Sequence, residues 1–252
     1  MARIIELFGL PGSGKSFLTK EIIFHLSKKI KVVDRTEGVK QALIRRNDGF
    51  YTALFKKIPY AIWHKIIHEH YCLSEFLEFS SRNIKLMSYY QRKISGSNVE
   101  IKIIRNILGA FASTCIERQL FENHGYDDEL VLADEGFCHR FFTLYGNLVI
   151  PCDQQEVTSY LNLIPPVHGV IFISTPIDIC IERMEKRKRF TNILDHYGKS
   201  RSIDILQHGF SILEKIFNEL TDKHVNCFQY NGISSDILPV VDFCMSCYNA
   251  EI

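Results

Sequence analysis

The sequence predicts an α/β fold built on a parallel sheet, and three observations carry that prediction. A glycine-rich turn, Gly9-Leu10-Pro11-Gly12-Ser13-Gly14-Lys15-Ser16, joins an apolar run to a helical pattern. Five short apolar runs of strand length alternate with segments of helical spacing. Two of those runs, Lys31–Asp34 and Glu129–Asp134, end in carboxylates. Strand, helix and strand in succession build a parallel sheet with helices on its faces.

In chain order, Arg3–Phe8 reads as a buried strand and 15–29 as the helix after the turn. Lys31–Asp34 is the second strand. From Glu37 to about His124 the strand signal thins and apolar residues recur at helical spacing, as in Ile103, Ile104, Ile107, Leu108 and Phe111. This block, 37–124, is expected to form a helical lobe over the sheet, within a single domain spanning 1–252. Glu129–Asp134 is the third strand, followed by helices around 137–148 and 154–163. Pro165-Pro166 stops the second of these, and Val167–Ser174 is the fourth strand. Pro176 suits the first turn of the helix carrying 177–189. A polar, basic stretch at 186–201 comes next, then a helix from about Ser202, a fifth strand at Val225–Tyr230 and a closing helix at 236–248.

Gly9–Ser16 fits G-x-x-x-x-G-K-[ST], the phosphate-binding loop. Glycines let the backbone curl until successive N–H groups point inward at phosphate oxygens. The following helix adds the positive end of its dipole. Lys15 reaches the β- and γ-phosphates, and the Ser16 hydroxyl ligates Mg²⁺. The alternative, an ordinary glycine turn, has no need of Lys and Ser together. A nucleoside triphosphate is therefore the expected ligand, bound by Gly9, Leu10, Pro11, Gly12, Ser13, Gly14, Lys15, Ser16 and Phe17.

Composition narrows the class. The 252 residues are 46% apolar and 23% charged, the balance of a globular protein with a substantial core. A formal net charge of +1 implies no general attraction to nucleic acid or to an anionic membrane. No apolar run approaches the roughly 18 residues that cross a bilayer. Eight scattered cysteines, several inside apolar patterns, read as small buried hydrophobes. The loop starts at residue 9, which leaves no room for a cleavable leader, so the cytoplasm is the expected compartment.

Further residues carry candidate chemistry. Asp134 ends a buried strand at the edge where open α/β sheets bind ligands, and can hold Mg²⁺ opposite Ser16. The alternative for Asp134 is a helix N-cap. Asp34 ends the second strand and is the expected carboxylate beside a phosphoryl acceptor; its alternatives are an N-cap or a salt bridge to Arg35. Glu135 could position a water or contact the second substrate. In Glu182-Arg183-Met184-Glu185-Lys186-Arg187-Lys188-Arg189, Arg183 and Arg187 share a helix face and Arg189 follows at its end. Guanidinium groups bind phosphate oxygens bidentately, so this stretch is expected to act as a lid over the nucleotide. The alternative is a solvated basic helix end. His64, His68 and Cys72 have zinc-like spacing without a fourth ligand, and Cys244-Met-Ser-Cys247 reads as core packing.

A phosphate loop at the start, carboxylates after strands two and three, and arginines after strand four resemble the thymidylate kinase and deoxynucleoside kinase branch of P-loop kinases. The resemblance spans most of the chain as an order of elements. It implies a three-layer αβα P-loop NTPase fold with a five-stranded parallel sheet, a helical substrate lobe, and ATP with Mg²⁺ as donor. By the same resemblance Lys15, Asp34 and Arg187 are catalytic, Ser16 and Asp134 hold the metal, and Arg183, Arg187 and Arg189 close on the nucleotide. The run Asp134-Glu135-Gly136 departs from the branch's acid-Arg-Ser, and Arg140 one turn on is the substitute the sequence offers. The expected activity is transfer of the ATP γ-phosphoryl to a small-molecule acceptor, with a homodimer as a possible assembly. The alternatives are an ATP-hydrolysing switch, for which Glu135 would activate water, and an ATP-binding regulatory protein. No N-K-x-D tetrapeptide favours guanine.

Overall fold

Gly9 ends the central strand of the sheet, and every other element is placed by reference to it. The computed structural model describes residues 2–46, 72–97, 99–148, 151–186 and 199–250. The strands are β1 (Arg3–Gly9), β2 (Lys31–Asp34), β3 (Glu129–Asp134), β4 (Gly169–Ile173) and β5 (Cys227–Tyr230). All neighbours pair in parallel, in the order β2-β3-β1-β4-β5. The chain leaves β1, skips one place to β2, and returns through β3 before crossing to β4. The carboxyl end of β1 is thus the point where the winding reverses, which is where such sheets bind ligands.

The first half contributes α1 (Lys15–Leu26), α2 (Arg35–Arg46), α3 (Leu73–Arg82), α4 (Ile84–Ser95) and α5 (Ile101–His124). The second half contributes α6 (Phe137–Leu148), α7 (Gln154–Leu161), α8 (Ile177–Lys186), α9 (Lys199–Asp222) and α10 (Leu238–Asn249). Alternation along β1 sorts them into layers. Ile5 and Leu7 face α1 and α10, in a cluster with Leu18, Ile22, Val240 and Cys244. Phe8 faces the opposite way, clustered with Phe111, Phe137, Phe172 and Leu213 from α5, α6, β4 and α9. Helices therefore cover both faces, and the expected three-layer αβα architecture with a five-stranded parallel sheet is the one observed.

The described part of the block 37–124 consists of helices and the short links between them. Its 24-residue helix α5 packs on α2, α3 and α6. The rings of Tyr90 and Phe111 stack at 3.6 Å between α4 and α5, and those of Phe79 and Phe137 at 5.6 Å between α3 and α6. Element limits differ from the sequence reading by a few residues at several ends: β4 and β5 start two residues later than expected, at Gly169 and Cys227, and three helices differ as well. Helix α1 stops at Leu26, because Lys29 and Ile30 both donate to the Leu26 carbonyl and turn the chain. Helix α2 starts at Arg35, two residues early, because Asp34 caps it: Asp34 Oδ1 accepts from the Glu37 N–H at 2.8 Å. Helix α9 begins at Lys199 rather than Ser202. Cys244 and Cys247 are buried in the α10 core, where burial pushes the Cys247 thiol up to about 11. His64 and His68 lie outside the described residues. Among the described residues no helix is long and apolar enough to cross a membrane.

Candidate functional site

The loop after β1 is shaped by glycine. Gly12 and Gly14 have φ of +82° and +104°, a region that favours residues without a Cβ. A Cβ on Gly12 would also stand 2.4 Å from the Cys180 carbonyl oxygen of α8, so the loop is pressed against that helix. Helix α1 has Gly14 as N-cap and no side chain on its first amides, which leaves them directed along the dipole at the loop's mouth. Lys15 is buried and donates to the Gly9 and Leu10 carbonyls at 2.9 and 3.1 Å. Burial lowers the Lys15 ammonium's pKa, against the pull of Glu135 and Asp134, which favour the charge. Ser16 and Phe17 are exposed at the mouth, and the Ser13 hydroxyl is buried without a hydrogen-bond partner in the described structure.

The back of the loop is tied down at one atom. The Ser13 carbonyl accepts from Thr175 Oγ1 at 2.8 Å and from Arg183 Nη1 at 3.2 Å. Arg183 Nη2 reaches the Gly232 carbonyl at 3.0 Å, joining the loop to the turn after β5. Ser13, Arg183 and Gly232 line a cavity of about 330 Å³ with Gly14, Phe17, Tyr230, Ile233 and Ser234. Its volume falls in the range of roughly 300–1,000 Å³ typical of small-molecule sites. Arg183, one of the expected nucleotide-side arginines, is thus beside the loop. Arg187 and Arg189 lie outside the described residues.

The other side of the loop is acidic and paired. In the ladder Leu7 stands opposite Asp134, so Asp134 ends β3 two residues short of the level of Gly9 on the adjacent strand. Arg35 Nε lies 3.5 Å from Asp134 Oδ1 and 3.8 Å from Glu117 Oε2. Burial raises the Asp134 pKa, with Arg35 opposing. Asp34 sits elsewhere. It stands opposite Leu132, which stands opposite Ile5, so Asp34 is level with Ile5 on a strand two places from β1. At strand spacings this is about 10 Å sideways and about 13 Å back from the level of Gly9. The N-cap alternative for Asp34 is realised, and Arg35 reaches to Asp134 and Glu117.

The turn from β3 into α6 is set by a residue the sequence reading passed over. Glu6, 3% exposed on β1, accepts from the Phe137 and Cys138 N–H groups at 2.9 Å each. It supplies the α6 cap that Asp134 was an alternative for. Gly136 leaves the room: a Cβ there would lie 2.2 Å from Glu6 Cδ. Between them Glu135 takes φ of +69°, a strained value for a residue with a Cβ, while its N–H donates to the Leu7 carbonyl at 3.2 Å. Its carboxylate lies 3.5 Å from Arg140 Nη2 and 3.9 Å from His139 Nε2. Arg140 is fixed in turn by Thr114 Oγ1 at 2.8 Å. Burial pushes the His139 imidazole down to about 3, so it is neutral near pH 7. Burial would raise Glu135, but His139, Lys15, Arg140 and Arg35 outweigh it and hold the carboxyl at about 2. The signal for Glu6 was present in the sequence as an acid inside an apolar strand. Glu117 and Thr114, on α5, carried none.

A narrow second cavity of about 20 Å³, lined by Glu6, Arg35, Thr114, Glu117 and Arg118 among others, runs between the sheet and α5. The loop is thus flanked by a nucleoside-sized cavity at Arg183 and by a wall of paired charges at α5 and α6.

No family model matches the chain, and no curated protein matches it by sequence. Among solved structures it is similar to deoxyadenosine kinase from M. mycoides with bound dCTP, at 14% identity and a TM-score of 0.48, covering 98% of both chains. It is similar to thymidylate kinase from Ehrlichia chaffeensis at 10% identity and a TM-score of 0.44, covering 97% of both chains. Shikimate kinase from Acinetobacter baumannii, in complex with shikimate, matches at 10% identity and a TM-score of 0.40, covering 98% of this chain and 92% of the other. The likeness is one of general architecture, and the chemistry of the site rests on its own residues.

Proposed function

We propose that the protein is an ATP-dependent phosphotransferase that moves the γ-phosphoryl group of ATP to a small-molecule acceptor. The observation that carries this reading is the convergence at the carboxyl end of β1 of the buried Lys15, which donates to the Gly9 carbonyl, with Asp134, level with Leu7 on the next strand, and Glu135, whose N–H donates to the Leu7 carbonyl. The triphosphate would lie along the amides of Gly9–Ser16, with Lys15 offsetting charge on its outer phosphates. The 330 Å³ cavity at Phe17, Arg183 and Ile233 has the volume and mixed lining for the nucleoside. The acceptor would enter from the side of α5 and α6.

Mg²⁺ fits the residues present. Asp134 is a half-buried carboxylate whose ionised form burial disfavours, so a divalent cation would stabilise it, and Ser16 offers an exposed hydroxyl at the loop's mouth. Ser16 and Asp134 would hold the ion, which neutralises phosphate charge when bound.

The test uses labelled ATP with a panel of nucleosides, nucleotides, sugars and polyols. A labelled product that depends on one acceptor class supports transfer. Free phosphate released at a rate no acceptor alters would favour ATP hydrolysis, in which Glu135 beside Lys15 would hold a water. Lys15→Ala should abolish turnover and weaken triphosphate binding by about tenfold or more; binding equal to the parent's would sink the loop's assignment.

A further inference from the structure

Resting on the phosphotransferase reading, we infer that Glu135 is the carboxylate that orients the attacking acceptor hydroxyl, and that Glu6 is the residue that positions it. The sequence pointed to Asp34 for this role, because it ends the second strand on the same edge as Asp134 ends the third. Pairing register separates them. Glu135 follows Asp134, which is level with Leu7, two residues below Gly9 on the neighbouring strand, and the Glu135 N–H donates to the Leu7 carbonyl. The strand end from which Glu135 turns is thus about 7 Å along and about 5 Å across from Gly9. Asp34 is four residues below Gly9 and two strands away, and one of its oxygens is committed to the Glu37 amide. A short Asp side chain does not span that gap. Glu135 is within electrostatic reach of Lys15, whose charge it favours.

The surroundings of Glu135 have the form of a held tool. Its backbone is strained at φ +69°, and the strain is enforced from below. Glu6 clasps the next two helix amides, Gly136 makes room for that clasp, and the Leu7 carbonyl holds the Glu135 N–H. The side chain is 41% exposed, yet flanked by Arg140 and His139 at 3.5 and 3.9 Å. His139 is buried with its ring 5.2 Å from that of Phe142, and its Nδ1 finds no hydrogen-bond partner among the described residues. A carboxylate fixed in this way, open on one side beside the phosphate loop, can accept a hydrogen bond from an acceptor hydroxyl.

In the step this serves, the hydroxyl oxygen bonds to the γ-phosphorus as the bond from that phosphorus to the β–γ bridging oxygen breaks. ADP leaves with the electron pair, and the hydroxyl proton is released to solvent. The transition state is loose, so the carboxylate's contribution is mainly alignment of the nucleophile.

The test starts with an acceptor that the parent protein phosphorylates. A carboxylate only accepts, whereas an amide can turn its NH₂ to the hydroxyl and misalign it, so Glu135→Gln should lower kcat by about 100-fold or more, with KM for ATP within about threefold of the parent's. Glu135→Gly should melt at the same temperature as the parent or higher, because it releases the strained backbone, while turnover is lost. A Glu135→Gln protein with parental kcat overturns the inference. So does a larger loss in Asp34→Asn than in Glu135→Gln. A lower melting temperature in Glu135→Gly would make Glu135 a structural residue and overturn it as well. A parent protein that phosphorylates no acceptor on the panel overturns the phosphotransferase reading itself, a result visible before any variant is made.

Discussion

Replacing Gly136 by alanine should be among the most damaging single-methyl additions in this protein. The new Cβ would lie 2.2 Å from Glu6 Cδ and 2.3 Å from its Oε1, distances no packed structure sustains. Glu6 sits on the central strand, is buried, and holds the first two amides of α6, so it has no exposed rotamer that keeps both bonds. Moving it strands two amides and a carboxylate. Hydrogen bonds to a charged group contribute about 1.5–3 kcal/mol each, which gives about 3–6 kcal/mol for the pair. At about 2–4 °C per kcal/mol for a chain of this size, the melting temperature should fall by on the order of 10 °C. Guanidinium unfolding monitored by circular dichroism would measure the loss, with an unchanged slope showing that the denatured state is the same. The reasoning also predicts non-additivity. In a Glu6→Ala background the space is already vacated, so Gly136→Ala should cost less than about 1 kcal/mol there. A Gly136→Ala penalty below about 1 kcal/mol in the parent, or equal penalties in both backgrounds, would refute the clasp.

Stability should fall on mild acidification. His168 Nδ1 accepts from the Ile4 N–H at 3.0 Å, which requires the neutral ring, and burial together with Arg118 and Arg3 pushes its pKa down to about 4. The unfolded chain takes up that proton near pH 6.5, so between about pH 6.5 and 4 it binds more protons than the folded one, and stability is lost as pH falls through that window. The shift corresponds to about 3 kcal/mol, and His168→Asn, which retains an acceptor but does not titrate, should flatten the urea midpoint between pH 7 and 5. An unchanged pH profile in that variant would count against the assignment. On the nucleotide side, Arg183→Met removes the link from the Ser13 carbonyl to the Gly232 carbonyl. Triphosphate affinity should drop by about tenfold in a titration while the melting temperature changes little; parental affinity would show that Thr175 alone suffices to set the loop.

The parts of the molecule legible in sequence are those determined by neighbours in the chain. The phosphate loop needs eight consecutive residues, and the positive φ at Gly12 and Gly14 follows from them. Outside the block 37–124, strand and helix periodicity placed the described elements to within a few residues, because burial of one face or both leaves its mark at every second or fourth position; within the block it gave helical character without limits. Strand order and register left no such mark. Whether Asp34 is beside the loop or far below it depends on how Lys31–Asp34 slides against Glu129–Leu132, and nothing within either segment states that offset. Arg35 was read as a neighbour of Asp34, yet it reaches Glu117, 82 positions along the chain, because α5 packs against α2.

The same contrast explains why the donor can be read and the acceptor cannot. A triphosphate is met largely by backbone amides, which every residue carries, so the sequence need specify little more than the glycines that aim them and the lysine behind them. The wall of paired charges proposed for the acceptor side is made of side chains from four separate segments: Arg35 on α2, Thr114 and Glu117 on α5, Glu135 on the β3–α6 turn, and Arg140 on α6. Each is an ordinary charged or polar residue in its own segment. Their meaning appears when parallel pairing brings β3 beside β1 and the Glu6 clasp turns α6 toward the loop. That dependence makes Glu6 informative beyond its cap. An acid on the middle of a buried central strand is costly unless something requires it, and here the requirement is the turn that presents Glu135. Glu6→Gln keeps the shape but replaces one acceptor oxygen by a donor that opposes an amide N–H. It should therefore reduce kcat through a displaced Glu135 while leaving triphosphate affinity near the parent's, and an equal loss of both would mean that the clasp supports the sheet rather than the turn.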